Sequence, residues 1–137
     1  MDINKLNNED LEKIKIFSLE GLKTKARFCQ IYDGDTCKAV FLYNNEIKRW
    51  NCRINGIDTP ELRTKNIKEK ELGITARDYL KTLLNNKTLD ITCGSFDKYG
   101  RLLIDIYDED GISISNKLIE KGYANKYNGG TKKKWDL

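Results

Sequence analysis

The chain has 137 residues, 39% hydrophobic and 34% charged, with a net charge of +4, which gives room for one modest core and no more. It holds no histidine, which excludes Ser-His-Asp and Cys-His nucleophile systems and any histidine base. No apolar run nears the roughly 20 residues of a membrane span.

The N-terminal residues 1–16 read as a polar arm, with Asn8 a candidate helix cap before Glu9 and Asp10. Acids and asparagines there replace the basic and apolar stretches of a signal peptide, so an intracellular, cytoplasmic protein is expected. The domain proper is expected to span 17–137. Strands are predicted over Lys23–Tyr32, Thr36–Tyr43 and Glu46–Ile54, joined at Asp33-Gly34-Asp35 and Asn44-Asn45. From Glu69 to Leu84, Leu72, Ala76, Leu80 and Leu83 recur at helical spacing, which predicts an amphipathic helix lying on a sheet. Strands return over Leu89–Gly94 and Arg101–Tyr107, with a hairpin turn at 108–111. A second helix is predicted from about Ser115 to Lys121, ended by Gly122. The pattern is that of an α+β fold: a five-stranded oligonucleotide-binding (OB) barrel with two to three helices packed outside.

The cysteines, Cys29, Cys37, Cys52 and Cys93, form no C-x-x-C pair. They read as small buried thiols rather than zinc ligands or disulfides. The tail from Lys117 to Leu137 carries six lysines against Glu120 and Asp136, which suits a polyanionic partner and equally a solvated surface.

Three motifs carry candidate chemistry. Asp33-Gly34-Asp35-Thr36 is a hairpin turn by composition, and its two carboxylates can also face a hard cation. In Arg53-Ile54-Asn55-Gly56-Ile57-Asp58-Thr59-Pro60-Glu61, an apolar strand ends in an acidic pair stiffened by proline. Asp97-Lys98-Tyr99-Gly100-Arg101 gathers a guanidinium, an ammonium and a phenol, all phosphate partners, in what is otherwise a polar turn. Together they hold what phosphodiester hydrolysis asks for without histidine: oxygen ligands for a Ca²⁺- or Mg²⁺-like ion, a glutamate to take a proton, and arginines to grip phosphate in a two-pronged way.

DGDT, R-x-x-x-x-DTPE and DKYGR, in this order, with the ARDYLK (76–81) and ISNKLIEKGYA (114–124) segments, resemble the staphylococcal nuclease family over roughly 25–127. The resemblance implies Asp35 and Asp58 as Ca²⁺ ligands, the Thr59 carbonyl as a third, and Asp33 close behind. It implies Glu61 as general base, or as the group positioning the attacking water, and Arg53 and Arg101 on the scissile phosphate. Lys98 and Tyr99 would contact a terminal phosphate, with Tyr127, displaced by one residue, or Trp135 stacking a base. It further implies cleavage of DNA and RNA, endo- and exonucleolytic, leaving 3′-phosphate ends, by a protein expected to be monomeric. The chain departs from the family after Tyr127, where ten residues containing Gly129-Gly130 leave the C-terminal helix short or absent. A catalytically weak nucleic-acid-binding adaptor is the alternative, and all five of Asp35, Arg53, Asp58, Glu61 and Arg101 are present against it.

Overall fold

A computed structural model describes all residues, 1–137. In chain order it contains α1 (Ile3–Asn7), a 3₁₀ turn (Leu11–Lys13), β1 (Lys23–Ile31), β2 (Thr36–Tyr43), β3 (Glu46–Ile54) and β4 (Ile57–Asp58). There follow α2 (Ile67–Leu84), β5 (Thr88–Phe96), β6 (Leu102–Tyr107), α3 (Ile114–Glu120) and β7 (Asn125–Lys126). Strands β1, β2, β3, β6 and β5 close, in that order, into a five-stranded barrel of the OB type.

Alternation along each strand makes the barrel. Ala26 and Phe28 of β1, Cys37, Ala39 and Phe41 of β2, Cys52 and Ile54 of β3, Leu89, Ile91 and Cys93 of β5, and Leu102, Ile104 and Ile106 of β6 all point inward. Small alanines and cysteines beside large isoleucines and phenylalanine let the side chains fill so narrow an interior. The β2–β3 hairpin turns at Asn44 and Asn45, both at positive φ (52° and 64°), the pair of conformations a two-residue type I′ turn needs. Its register runs without a slip from Tyr43↔Glu46 to Thr36↔Arg53. Every barrel neighbour is antiparallel except β3 and β6, which pair in parallel at Cys52↔Leu102, Arg53↔Leu103 and Ile54↔Ile104. That junction closes the barrel. A parallel pair needs a long crossover, and β4, α2 and β5 supply it.

Helix α2 starts two residues before the expected Glu69. Asn66 caps it, its side chain accepting from the Glu69 backbone N–H at 3.1 Å. Its buried stripe is Gly73, Ala76, Leu80 and Leu84, rotated slightly from the predicted one, with Leu72 and Leu83 at its margins. Tyr79 meets Tyr123 edge-on at 5.5 Å, joining α2 to the segment after α3.

Several local expectations need correction. Ser113, not Ser115, caps α3, two residues earlier than the sequence pattern suggested, and this puts Ile114 in the core. Asn8 ends a helix instead of starting one; Asp2 is the cap of α1. Cys29 is exposed, unlike the other three thiols, because it follows inward-facing Ala26 and Phe28 on β1 and so takes the outer side of the pleat. Residues 128–137 carry no helix. No helix is long and apolar enough to cross a membrane.

Candidate active site

The acidic residues gather at one end of the β2–β3 hairpin. Asp35 leaves the β1–β2 turn and Arg53 stands near the end of β3, in the strand opposite. The carboxylate Oδ2 of Asp35 lies 3.4 Å from Arg53 Nη2, which also donates to the Ile57 carbonyl at 2.9 Å. Thr36 Oγ1 donates to Asp35 Oδ1 at 3.0 Å, and Asp33 Oδ1 accepts from the Asp35 backbone N–H at 3.1 Å. Asp35 and Asp58 are 7% and 4% exposed. Buried carboxylates at this level are uncommon unless a charge compensates them.

Asp58 sits in the short strand β4, which pairs antiparallel with β7 at Ile57↔Lys126 and Asp58↔Asn125. Thr59 and Pro60 behind it are buried, and Glu61 emerges into solvent. Two glycines let this loop seat so deeply. A Cβ on Gly34 would come within 2.8 Å of Thr59 Cγ2 and 3.1 Å of Ala76 Cβ. A Cβ on Gly73 would meet the Pro60 and Glu61 carbonyl oxygens at 2.9 and 3.1 Å. The Asp58–Glu61 loop is therefore wedged between the β1–β2 turn and α2.

Glu69 completes the clamp. In a capping box its carboxylate would return to the Asn66 backbone N–H. That N–H donates instead to Thr64 Oγ1, and Glu69 Oε2 accepts from the Glu61 backbone N–H at 3.0 Å. Sequence reasoning passed over Gly34, Gly73 and Glu69 as site residues, although Asn66-x-x-Glu69 was legible as a cap. Gly73→Ala tests the wedge. Alanine gains about 1 kcal/mol of helix propensity, but overpacking against fixed backbone oxygens costs about 1–3 kcal/mol. A net loss in urea unfolding is expected, with a larger fractional fall in any activity that depends on Glu61.

Burial raises Asp58 above the ordinary carboxylate value, and Lys132 opposes the rise. Burial first, then the neighbouring Asp35 carboxylate, push Asp33 up to about 7 from its ordinary 3.8. Unfolded, Asp33 ionises near its ordinary value; folded, it keeps its proton longer. The native state then binds more protons across this interval, so this group's contribution falls as pH rises from about 4 to 7. Asp33→Asn cannot ionise and keeps an oxygen for the Asp35 N–H. In chelator at about pH 8 the variant is expected to be more stable than the parent by about 1–2 kcal/mol, after discounting for partial exposure, with no gain near pH 4. Paired denaturation curves at the two pH values check it.

A second cluster lies on the β5–β6 turn. Asp97 Oδ2 accepts from Arg101 Nε at 2.7 Å, and its Oδ1 accepts from the Tyr99 and Arg101 backbone N–H groups, each at 2.9 Å. Burial acts against the Asp97 anion, but these hydrogen bonds prevail and hold its carboxyl below the usual range. Arg101 thus has its Nε committed and both terminal nitrogens without a protein partner. Lys98 Nζ and the Arg101 guanidinium lie 5.2 and 5.3 Å from the Tyr99 ring, itself 71% exposed. The parallel register places Leu102 and Ile104 in the core, so Arg101 leaves the same outer side of the β3–β6 pair as Arg53. No direct bond joins the two clusters.

Tyr127 lies beside Arg53, ring to guanidinium 5.6 Å, and its backbone N–H donates to the Gly56 carbonyl at 2.9 Å. Lys132, absent from the residues expected at the site, reaches it from the tail. Its Nζ is 3.3 Å from Asp58 Oδ1 and 3.7 Å from Glu61 Oε1. No three carboxylate or thiol side chains converge on one point. An ion held here therefore takes two carboxylates, supplemented by backbone and water oxygens. That donor set is hard and suits Ca²⁺ or Mg²⁺ rather than a thiophilic metal.

The chain is also similar in sequence to known proteins. The family model described as staphylococcal nuclease homologue matches residues 51–136, a span that includes Arg53, Asp58, Glu61 and Arg101 and begins after Asp35. An "Uncharacterized endonuclease" of Escherichia coli is 30% identical over 98 residues, 72% of this chain and 58% of that protein. "Endonuclease YhcR" of Bacillus subtilis is 31% identical over 106 residues, 72% of this chain and 8% of that protein. "Probable staphylococcal-like nuclease CAN1" of Oryza sativa is 32% identical over 80 residues, covering 58% and 22%. The chain thus spans a little over half the length of the Escherichia coli relative and much less of the other two.

Proposed function

The chain belongs to the staphylococcal nuclease family, and from that premise we propose that it is a Ca²⁺-dependent nuclease that hydrolyses phosphodiester bonds of DNA or RNA and leaves 3′-phosphate ends. The observation that carries the reading is the convergence of Asp35, Arg53, Asp58 and Glu61, drawn from two segments 18 residues apart, with a half-free Arg101 on the same side of the barrel.

In this reading Asp35, Asp58 and the Thr59 carbonyl would hold the ion, with Asp33 behind them. Bound there, Ca²⁺ would supply positive charge at the phosphate and acidify a water molecule. Glu61, exposed at the rim, takes the proton of the attacking water, so that hydroxide adds to phosphorus as the P–O5′ bond breaks and the departing O5′ takes a proton from solvent. Arg53 neutralises a phosphoryl oxygen from inside the acidic cluster. Arg101 does so from outside it, with the two nitrogens that Asp97 leaves free, and the charge they offset grows towards the transition state. Lys98 and Tyr99 face a neighbouring phosphate, and Tyr127, fixed beside Arg53, offers a ring to a base.

The test is digestion of end-labelled single- and double-stranded DNA and of RNA, with Ca²⁺, with Mg²⁺ alone and with chelator, followed by identification of the product ends. Cleavage that requires Ca²⁺ and leaves 3′-phosphates is expected. Equal cleavage in chelator rejects the metal assignment, and tight binding without cleavage in any condition favours the adaptor.

A further inference from the structure

We propose that Lys132 sets the cation affinity of the acidic site, standing in it as a tethered ammonium that an incoming divalent ion displaces. The inference rests on the reading that Asp35 and Asp58 hold such an ion.

Lys132 bridges the two acids of the Asp58–Glu61 loop, at 3.3 Å from Asp58 Oδ1 and 3.7 Å from Glu61 Oε1. Its Nζ also lies 5.7 Å from the centre of the Tyr127 ring, which carries Arg53 at 5.6 Å. A continuous run of charge contacts then leads from Asp35 through Arg53, Tyr127 and Lys132 to Asp58 and Glu61. Within it Lys132 is the only cation that comes from outside the barrel strands. Asp58 is nearly fully buried and has no other cationic side chain within salt-bridge distance. Without metal, this ammonium, with a smaller contribution from Arg53, offsets part of the cost of burying its charge.

The tether is short. Strand β7 pairs Asn125 directly with Asp58, and only Tyr127 to Thr131, including Gly129 and Gly130, separate β7 from Lys132. Its effective concentration at the carboxylates is therefore high. Its hold is nonetheless weak, since the side chain is 49% exposed and exposed pairs are screened by water and salt. A divalent ion bonding directly to Asp58 repels the ammonium and competes for the same oxygens. Metal binding and docking of the 128–137 segment are thus linked, and each weakens the other. The segment also holds Trp135, half-buried three residues further on, which reports its movement.

The experiment is calorimetric titration of Ca²⁺ into the parent, Lys132→Met, Lys132→Arg and Asp58→Asn, at one low salt concentration. Tryptophan emission is followed in parallel, with Trp135→Phe as control. Lys132→Met is expected to bind Ca²⁺ at least about fivefold more tightly than the parent, the size of a few weak exposed contacts. Lys132→Arg should stay within about twofold of the parent because it keeps the charge. The Ca²⁺-dependent change in emission should disappear in Trp135→Phe. Unchanged or weaker affinity in Lys132→Met, while Asp58→Asn abolishes binding, overturns the role of Lys132 and leaves the metal site standing. Absence of Ca²⁺ binding in both the parent and Lys132→Met overturns the metal site itself.

Discussion

Arg101→Lys is expected to lower kcat by at least about 10², the usual cost of losing one oriented donor to transition-state charge, while oligonucleotide affinity changes by less than about tenfold. The structure gives the reason for so large an effect from so mild a substitution. Asp97 takes Arg101 Nε at 2.7 Å and its backbone N–H at 2.9 Å, which fixes the plane of the guanidinium and aims its two free nitrogens outward. Lysine keeps the charge but has one nitrogen; if that nitrogen pairs with Asp97, none is left for the phosphate. A binding module would hardly notice the change, since charge alone governs its affinity. Single-turnover cleavage beside equilibrium binding, at one salt concentration because phosphate contacts are salt-sensitive, separates the two. Parental cleavage by the lysine variant reduces Arg101 to an electrostatic grip. Arg53→Lys should lose activity similarly and also lose stability, because Arg53 bridges Asp35 and the Ile57 carbonyl with its side chain only 12% exposed.

Glu61→Gln should reduce kcat by about 10² or more, within the range for loss of a general base, with the melting temperature close to the parent's. Glu61 is exposed, its side chain 57% accessible, and the contact that positions it, from its backbone N–H to Glu69, survives the substitution. Folding energetics are therefore separated from chemistry at this position. A glutamine variant within threefold of the parent removes Glu61 from proton transfer. If activity falls and returns as pH rises, hydroxide has replaced the missing base, and the assignment stands on firmer ground.

Much of the fold was legible from local rules. Strand β2 and strand β3 have the predicted limits, because alternation along β2 and an Asn-Asn turn leave one register available. The helix over α2 was found by period, but its face was set by packing. Gly73 lies at its centre because the Asp58–Glu61 loop needs the room, a demand no helical period expresses. The cap of α3 moves for a similar reason: a two-residue shift from Ser115 to Ser113 costs little locally, and the burial of Ile114 chooses between them. Cys29 differs, since alternation from buried Phe28 alone puts it on the outer face.

The site divides in the same way. By itself the sequence determined the inventory: chemistry without histidine, two acidic motifs, a glutamate after a proline, and two arginines on candidate strands. Those are properties of residue type and short spacing, which a single chain displays directly. Only the tertiary structure decided which of them meet. Asp35 joins Arg53 across the β2–β3 ladder, Asp58 is pinned by a two-residue strand 67 positions later, and Lys132 folds back onto Asp58 and Glu61. These contacts depend on barrel closure through the parallel β3–β6 pair and on the path of the chain after α3. Their stability comes from burial and charge compensation summed over distant segments, which sequence spacing does not encode.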